Sequence, residues 1–230
     1  MKLGLGLNIN NAVSGEWTPA KLSSLLHWYK FNTGITRDGE DDVTAWNDQK
    51  GSNNLTADGT GAASPTYDNG AVLFNSSADI LTFGTTLDLG TFAIYVRMEA
   101  SAFDGDFLFE ETSNEFIKIH DANTIRMKIA GGLRHDVTSG VSLSADTKFN
   151  IGFEREDTGS TTDDQMFVFL NNVSKTIGGS GGGTQAITDL LEIQTIGQPT
   201  TSCKYYEVII CNNALSSSDR TSLNTYLNKI

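Results

Sequence analysis

The stretch FAIYVRMEA (Phe92–Ala100) decides the fold. Successive side chains of an extended chain point to opposite faces, so Phe92, Ile94, Val96 and Met98 share one side, with Tyr95, Arg97 and Glu99 on the other. Two more stretches repeat the pattern. TIRMKIA sets Ile125, Met127 and Ile129 against Arg126 and Lys128, and KFNIGFERE sets Phe149, Ile151 and Phe153 against Asn150, Gly152 and Glu154. Each predicts a half-buried antiparallel strand, one face in the core and one wet. MFVFL (Met166–Leu170) and YYEVII (Tyr205–Ile210) are apolar on nearly both faces and predict central strands with a second layer over them.

Between these runs lie RDGEDD, TSGVS, EDTGSTTDD and GGSGGG, which read as loops. Many short strands punctuated by Gly, Asn, Asp and Ser predict an all-β, two-sheet antiparallel sandwich of jelly-roll type. No repeat of 20–50 residues is present, which argues against propellers and solenoids. Near the start, Thr18 is placed to cap a short helical turn with Pro19 at its first position, where a missing N–H costs nothing. The clear helix comes at the end, in ALSSSDRTSLNTYLNKI. Ser216 with Asp219 three residues later resembles a capping box, and Leu223, Tyr226, Leu227 and Ile230 line one face at i, i+3, i+4 and i+7. That face is expected to pack back onto the sandwich.

Composition narrows the partners. The chain of 230 residues carries 28 acidic and 16 basic side chains, a formal net charge of −12. Phosphate backbones would be repelled along most of such a surface, so nucleic acid is not expected. No run approaches the ~18 apolar residues of a membrane span, and no secretory leader is evident, since Gly and Asn interrupt the first apolar residues. Cys203 and Cys211 flank an extended run and would lie roughly 26 Å apart at ~3.3 Å per residue, too far for a disulfide.

Four stretches together resemble the concanavalin A-like, laminin-G-like jelly-roll domains. They are LLHWYKF with VTAWNDQKGSNNLTA, containing Trp46, Asp48, Gly51 and Leu55; PTYDNGAVLFNSSADILTF, with Pro65, Phe74 and Leu81; MFVFLNNVSKTI; and YYEVIICNNALSSSDRTSLNTYL. The resemblance covers roughly residues 20–230. An amino-terminal arm followed by a Thr-Pro-x-x-Leu entry is similar to structural proteins of tailed bacteriophages, especially phages of marine bacteria. That resemblance implies a virion location after assembly in the host cytoplasm, with the major capsid protein among the partners and a homo-oligomer as one arrangement.

The chemistry of the residues favours binding over catalysis. Glycosidases of this fold set two carboxylates on one strand face, near the ~5 Å separation that retention needs. Glu154 and Glu156 share a face but lack a third acidic partner, and Glu111 and Glu115 lack an aspartate between them. His27, His120 and His135 are scattered without metal-ligand spacing. The chain is therefore expected not to be an enzyme. Asp38, Glu40, Asp41 and Asp42 crowd one loop, Asp104 and Asp106 another, and Asp157, Asp163 and Asp164 a third. Such loops are either solvated or converge on calcium, which takes six to eight oxygens. No metal site or other cofactor is assigned to them. A lectin-like site would use an aromatic platform, for which Trp17, Tyr67 and Tyr95 are candidates, each equally suited to packing.

Residues 1–17 read as an arm and 18–230 as the jelly-roll domain. In MKLGLGLNINN, Leu3, Leu5, Leu7 and Ile9 alternate with Gly4, Gly6, Asn8 and Asn10, half a strand with one apolar face. Added to a neighbour's sheet edge, four aliphatic side chains would contribute roughly 6–12 kcal/mol before ordering costs. These residues are the expected partner-binding site. The functional expectation is a capsid decoration or cement protein tethered by its arm, the alternative being a glycan-binding tail fibre or adhesin that contacts host-surface glycans.

Overall fold

The computed structural model describes residues 15–57, 64–112, 115–129, 133–159, 161–175 and 187–230. The arm residues Leu3, Leu5, Leu7 and Ile9 lie outside them. In chain order the first strands are β1 (Leu25–Tyr29), β2 (Ile35–Arg37), β3 (Val43–Trp46), β4 (Leu55–Ala57), β5 (Thr66–Asp68) and β6 (Ala71–Phe74). Then come β7 (Ile80–Leu89), β8 (Phe92–Ala100), β9 (Asp104–Thr112), β10 (Glu115–Asp121), β11 (Thr124–Ile129) and β12 (Leu133–Val137). The last are β13 (Phe149–Arg155), β14 (Met166–Leu170), β15 (Val173–Lys175), β16 (Leu191–Gly197) and β17 (Cys203–Cys211).

They form two antiparallel sheets. One runs β15-β14-β13-β8-β17-β6-β5, with β1 pairing the part of β17 beyond β6. The other runs β12-β11-β10-β9-β16-β7-β4-β3-β2. The inner faces enclose one core, which takes Phe92, Ile94, Val96 and Met98 from β8, Phe149, Ile151 and Phe153 from β13, and Ile125, Met127 and Ile129 from β11. This is the sandwich that the period-2 pattern predicts. YYEVII is central, between β8 on one side and β1 and β6 on the other, whereas MFVFL is one strand in from the edge strand β15.

The second face of β8 and β13 is not wet. Tyr95, Arg97, Asn150 and Glu154 are all buried. The C-terminal helix, Ser217–Leu227, lies over this face and builds a second apolar cluster from Leu223, Leu227, Ala93, Tyr95, Ile209 and Trp28, with Trp17 and Tyr226 packed against it. Several of these polar residues satisfy one another, although Nε of Arg97 is buried without a partner among the described residues. Asn150 Nδ2 donates to Asn224 and Asn228 at 2.7 and 3.0 Å. Glu207, fully buried, accepts from Trp28 Nε1 at 2.6 Å and from the Phe31 backbone N–H at 3.2 Å. Gly152 is required by packing: a Cβ there would sit 2.2 Å from Cε1 of Tyr95, its cross-strand neighbour.

Local signals fared unevenly. Ser216 caps the helix, its Oγ accepting from the Asp219 N–H at 3.1 Å. Thr18 precedes a 3-10 turn, Pro19–Lys21, yet its side chain makes no cap hydrogen bond; the turn is closed instead by backbone bonds from Lys21 and Leu22. A helical turn, Thr162–Gln165, interrupts the segment read as the loop EDTGSTTDD. Cys203 and Cys211 end the same strand, both buried and neither in a disulfide. No described helix is long and apolar enough to cross a membrane.

Candidate functional site

The helix covers the outer face of the eight-stranded sheet, whereas no described helix packs over the outer face of the nine-stranded sheet. Its register lines up one residue from each strand into a single row. At one end Arg134 on β12 opposes Lys128 on β11, which opposes Phe116 on β10, which opposes Glu110 on β9. From Glu110 the row continues through Thr195, Thr82 and Thr56 to Ala45 and Thr36. Their chain neighbours Ile117, Ile129, Phe109, Leu81, Leu55 and Trp46 all point into the core, which fixes the row on the outer face. Eight interstrand steps of ~4.8 Å make the row roughly 38 Å long.

The threonine half is polar and shallow, because short hydroxyl side chains leave the sheet surface accessible. Thr56 is exposed, and Thr82 and Thr195 are half-buried. Thr195 Oγ1 also donates to the Glu110 carbonyl at 3.1 Å, which holds its rotamer.

The other half is cationic. A parallel row sets Lys118 opposite Arg126 and Arg126 opposite Asp136. Asp136 accepts from Nε and Nη2 of Arg126 at 2.8 and 3.1 Å, and from Nε and Nη2 of Arg134 at 3.2 and 2.5 Å. Burial pushes the Asp136 carboxyl up, but the bonds from Arg134 and Arg126 outweigh it and hold the group down at about 2. The Lys118 ammonium lies 5.5 Å from the centroid of the Phe116 ring.

The sequence-derived candidates are placed elsewhere. Tyr95 is buried beneath the helix, its hydroxyl donating to Glu154; Trp17 packs on Tyr226 at 6.1 Å; and Tyr67 lies under the Arg37 guanidinium at 4.1 Å, its hydroxyl donating to Asn32. In the first acidic loop, Asp38 accepts from the backbone N–H groups of Glu40 and Asp42, and Asp41 pairs with Arg37 at 2.7 Å. Among the described residues no three of His, Cys, Asp and Glu are grouped to hold a metal ion. Glu154 is fully buried and engaged by Arg220. Asp48 is the hub of a turn: it accepts from His27 at 2.7 Å and from the N–H groups of Trp28 and Lys50. A hollow of about 290 Å³ lies between Thr91, Arg155, Asp157 and Asn213; Nη1 and Nη2 of Arg155 donate to the carbonyls of Asp189 and Ile187, while its buried Nε has no partner among the described residues.

No family model matches the chain, and no curated protein sequence does. Solved structures do match. A sialidase of Trypanosoma rangeli, solved in complex with sialic acid, aligns at TM-score 0.59 and 14% identity over 90% of this chain. The chain spans about a third, 33%, of that sialidase. The binding domain of botulinum neurotoxin DC, solved in complex with SialylT, aligns at TM-score 0.50 and 14% identity over 86% of this chain and 52% of its own. At such identity the likeness establishes the β-sandwich fold alone. It also corrects one sequence expectation. The chain was expected not to be an enzyme for want of paired carboxylates on a strand, yet the sialidases that share its fold are enzymes, so that argument does not set this sandwich apart from catalytic proteins.

Proposed function

We propose that this domain is a lectin-like glycan-binding module that holds its ligand along the outer face of the nine-stranded sheet. The observation that carries the reading is the transverse row itself, with threonine hydroxyls at one end, Thr56 exposed among them, and cations at the other. Sugars are recognised by dense hydrogen bonding from short polar side chains placed on a rigid scaffold, and a nine-stranded sheet supplies that rigidity. Support of a coarser kind comes from the fold, shared with a neurotoxin binding domain and a sialidase that were each solved with sialic acid or a sialyl ligand.

A glycan array probed with the labelled protein tests the reading, with Thr56→Arg as the control. Thr56 is exposed in the middle of the threonine half, so an arginine there blocks the face without disturbing the core. Glycan binding lost in this variant supports the site. An array that binds nothing sinks the reading.

As the place of display we propose a virion surface, reached through the apolar arm of Leu3, Leu5, Leu7 and Ile9, on the strength of the sequence resemblance. Gold-labelled antibody on purified particles should then decorate them. Unlabelled particles would leave the sheet face without that carrier.

A further inference from the structure

We infer that the hollow at Arg155 is a second ligand site, one that takes a single neutral sugar ring. The inference goes beyond the sheet-face reading and stands without it. Its first support is a donor left over. Arg155 is 3% exposed, yet its buried Nε has no partner among the described residues. A buried donor left unsatisfied is costly, and native structures keep few of them. Arg155 ends β13 in the alternation of Phe149, Ile151 and Phe153, so its side chain turns between the sheets. There the carbonyls of Asp189 and Ile187, just ahead of β16, hold Nη1 and Nη2 in place.

The second support is the rest of the wall. Phe92 opposes Arg155 and Ala93 opposes Cys211, so the turn before β8, the loop after β13 and the link after β17 meet at one end of the eight-stranded sheet. They bring Thr91, Asp157, Thr158 and Asn213 to the same hollow as Arg155. Asp157, Thr158 and Asn213 are exposed, so a solute reaches the hollow from water. At about 290 Å³ it stands at the lower end of the range of small-molecule sites, about 300–1,000 Å³, which limits the occupant to one ring.

The third support is the mixture of charges. Glu156 and Asp157 line the hollow with Arg155. Burial pushes the Arg155 guanidinium down, and Asp157 and Asp189 offset part of that as counter-charges. An anion there would meet two carboxylates, and a cation would meet the guanidinium. A hydroxyl suits both, because its oxygen accepts from the guanidinium while its hydrogen goes to a carboxylate. Neighbouring hydroxyls on a rigid ring do this in pairs, with no charge of their own to desolvate. The apolar side of such a ring has a neighbour as well. Leu190 is one of two large apolar side chains exposed among the described residues, and a Cβ at Gly90, next in the chain to Thr91, would lie 3.5 Å from its Cδ2.

The test is a titration of the intact protein, Asp157→Ala and Thr56→Arg with a panel of neutral monosaccharides, with glucuronate and glucosamine as charged controls. Calorimetry gives the affinities, and NMR follows the arginine Nε–H resonances. The expected result is a neutral sugar that shifts the Arg155 Nε–H signal, binds Asp157→Ala about tenfold more weakly and binds Thr56→Arg as well as the parent. Arg155→Lys identifies that signal. Where Arg155→Lys fails to fold, the affinity lost in Asp157→Ala, a substitution at an exposed position, carries the test. Three results overturn the inference: no neutral sugar binds, a charged control binds in preference, or binding is lost in Thr56→Arg and kept in Asp157→Ala. None of the three touches the sheet-face reading, which stands or falls on the glycan array.

Discussion

The Glu154 carboxylate accepts hydrogen bonds from Nε and Nη2 of Arg220 at 3.1 and 2.9 Å, joining residues 66 positions apart. Glu154 is a strand residue and Arg220 a helix residue, so this pair fastens the C-terminal helix to the outer face of β13. The Tyr95 hydroxyl donates to the same carboxylate at 2.5 Å, and the Arg220 guanidinium lies 3.9 Å from the centroid of the Phe169 ring. Truncating Arg220 leaves a buried carboxylate without its counter-charge, which costs about 3–5 kcal/mol, whereas replacing both partners with apolar residues removes the charge as well. Arg220→Ala should therefore lower the urea midpoint far more than Glu154→Leu combined with Arg220→Met. Equal midpoints for the two would mean that the helix is held by its apolar face alone.

Acid should unfold the domain, and two aspartates set where. Burial pushes the Asp48 carboxyl up, but the bonds from His27 and the backbone N–H groups of Trp28, Lys50 and Gly51 outweigh it and hold it at about 2, below the usual 3.8; Asp136 is held at about 2 by its arginines. A lowered carboxyl stabilises the fold above its unfolded value and loses that contribution as pH falls through the folded one. Each contributes about 2 kcal/mol that disappears between roughly pH 4 and pH 2. Glu207 has the opposite sign: burial raises it, so it weakens the fold as pH climbs through the carboxylate range. Asp48→Asn should flatten the pH dependence of stability below pH 4, measured by urea titration at several pH values. An unchanged slope would put the acid sensitivity elsewhere.

The core faces of β8, β11 and β13 were legible because alternation needs only the period of a strand, and Phe92, Ile125 and Phe149 declare it locally. What covers the second face was not. Tyr95, Arg97 and Glu154 read as wet because they are polar, and only tertiary placement supplies their partners: Arg220 for Glu154, Asn228 for Arg97, and Glu154 itself for the Tyr95 hydroxyl. The cationic rows were hidden for a related reason. Lys118, Arg126 and Arg134 are spread over three strands, and nothing in their spacing says that register sets them side by side. Alternation alone marked Arg126 and Lys128 as outward-facing, the one signal available.

Close packing between sheet and helix makes Gly152 intolerant. The added methyl of Gly152→Ala would meet Cε1, Cζ and Cδ1 of Tyr95 at 2.2, 2.5 and 2.7 Å. The Tyr95 ring is fixed by its bond to Glu154 and cannot swing away without breaking it. Overpacking of this kind costs about 1–3 kcal/mol. Gly152→Ala should show that loss in a thermal melt, and Tyr95→Leu in the same chain should recover part of it. A melt identical to the parent would mean that the ring yields freely.

Cys203 and Cys211 report on whether the central strand opens piecemeal or with the whole sheet. Both are buried at the two ends of β17, Cys203 where it pairs β6 and Cys211 where it pairs β1. Burial also pushes the Cys211 thiol up to about 12, and only the thiolate is nucleophilic. Iodoacetamide at pH 8 should therefore leave both unmodified in the native protein and alkylate both once urea unfolds it. Because β17 is bonded on one side to β8 along its whole length, the two ends should become reactive at the same urea concentration. Mass spectrometry of the two tryptic sites across a urea series measures this directly. Earlier labelling of Cys203 would show that the β5–β6 edge detaches first, leaving β1 and the helix holding the other end.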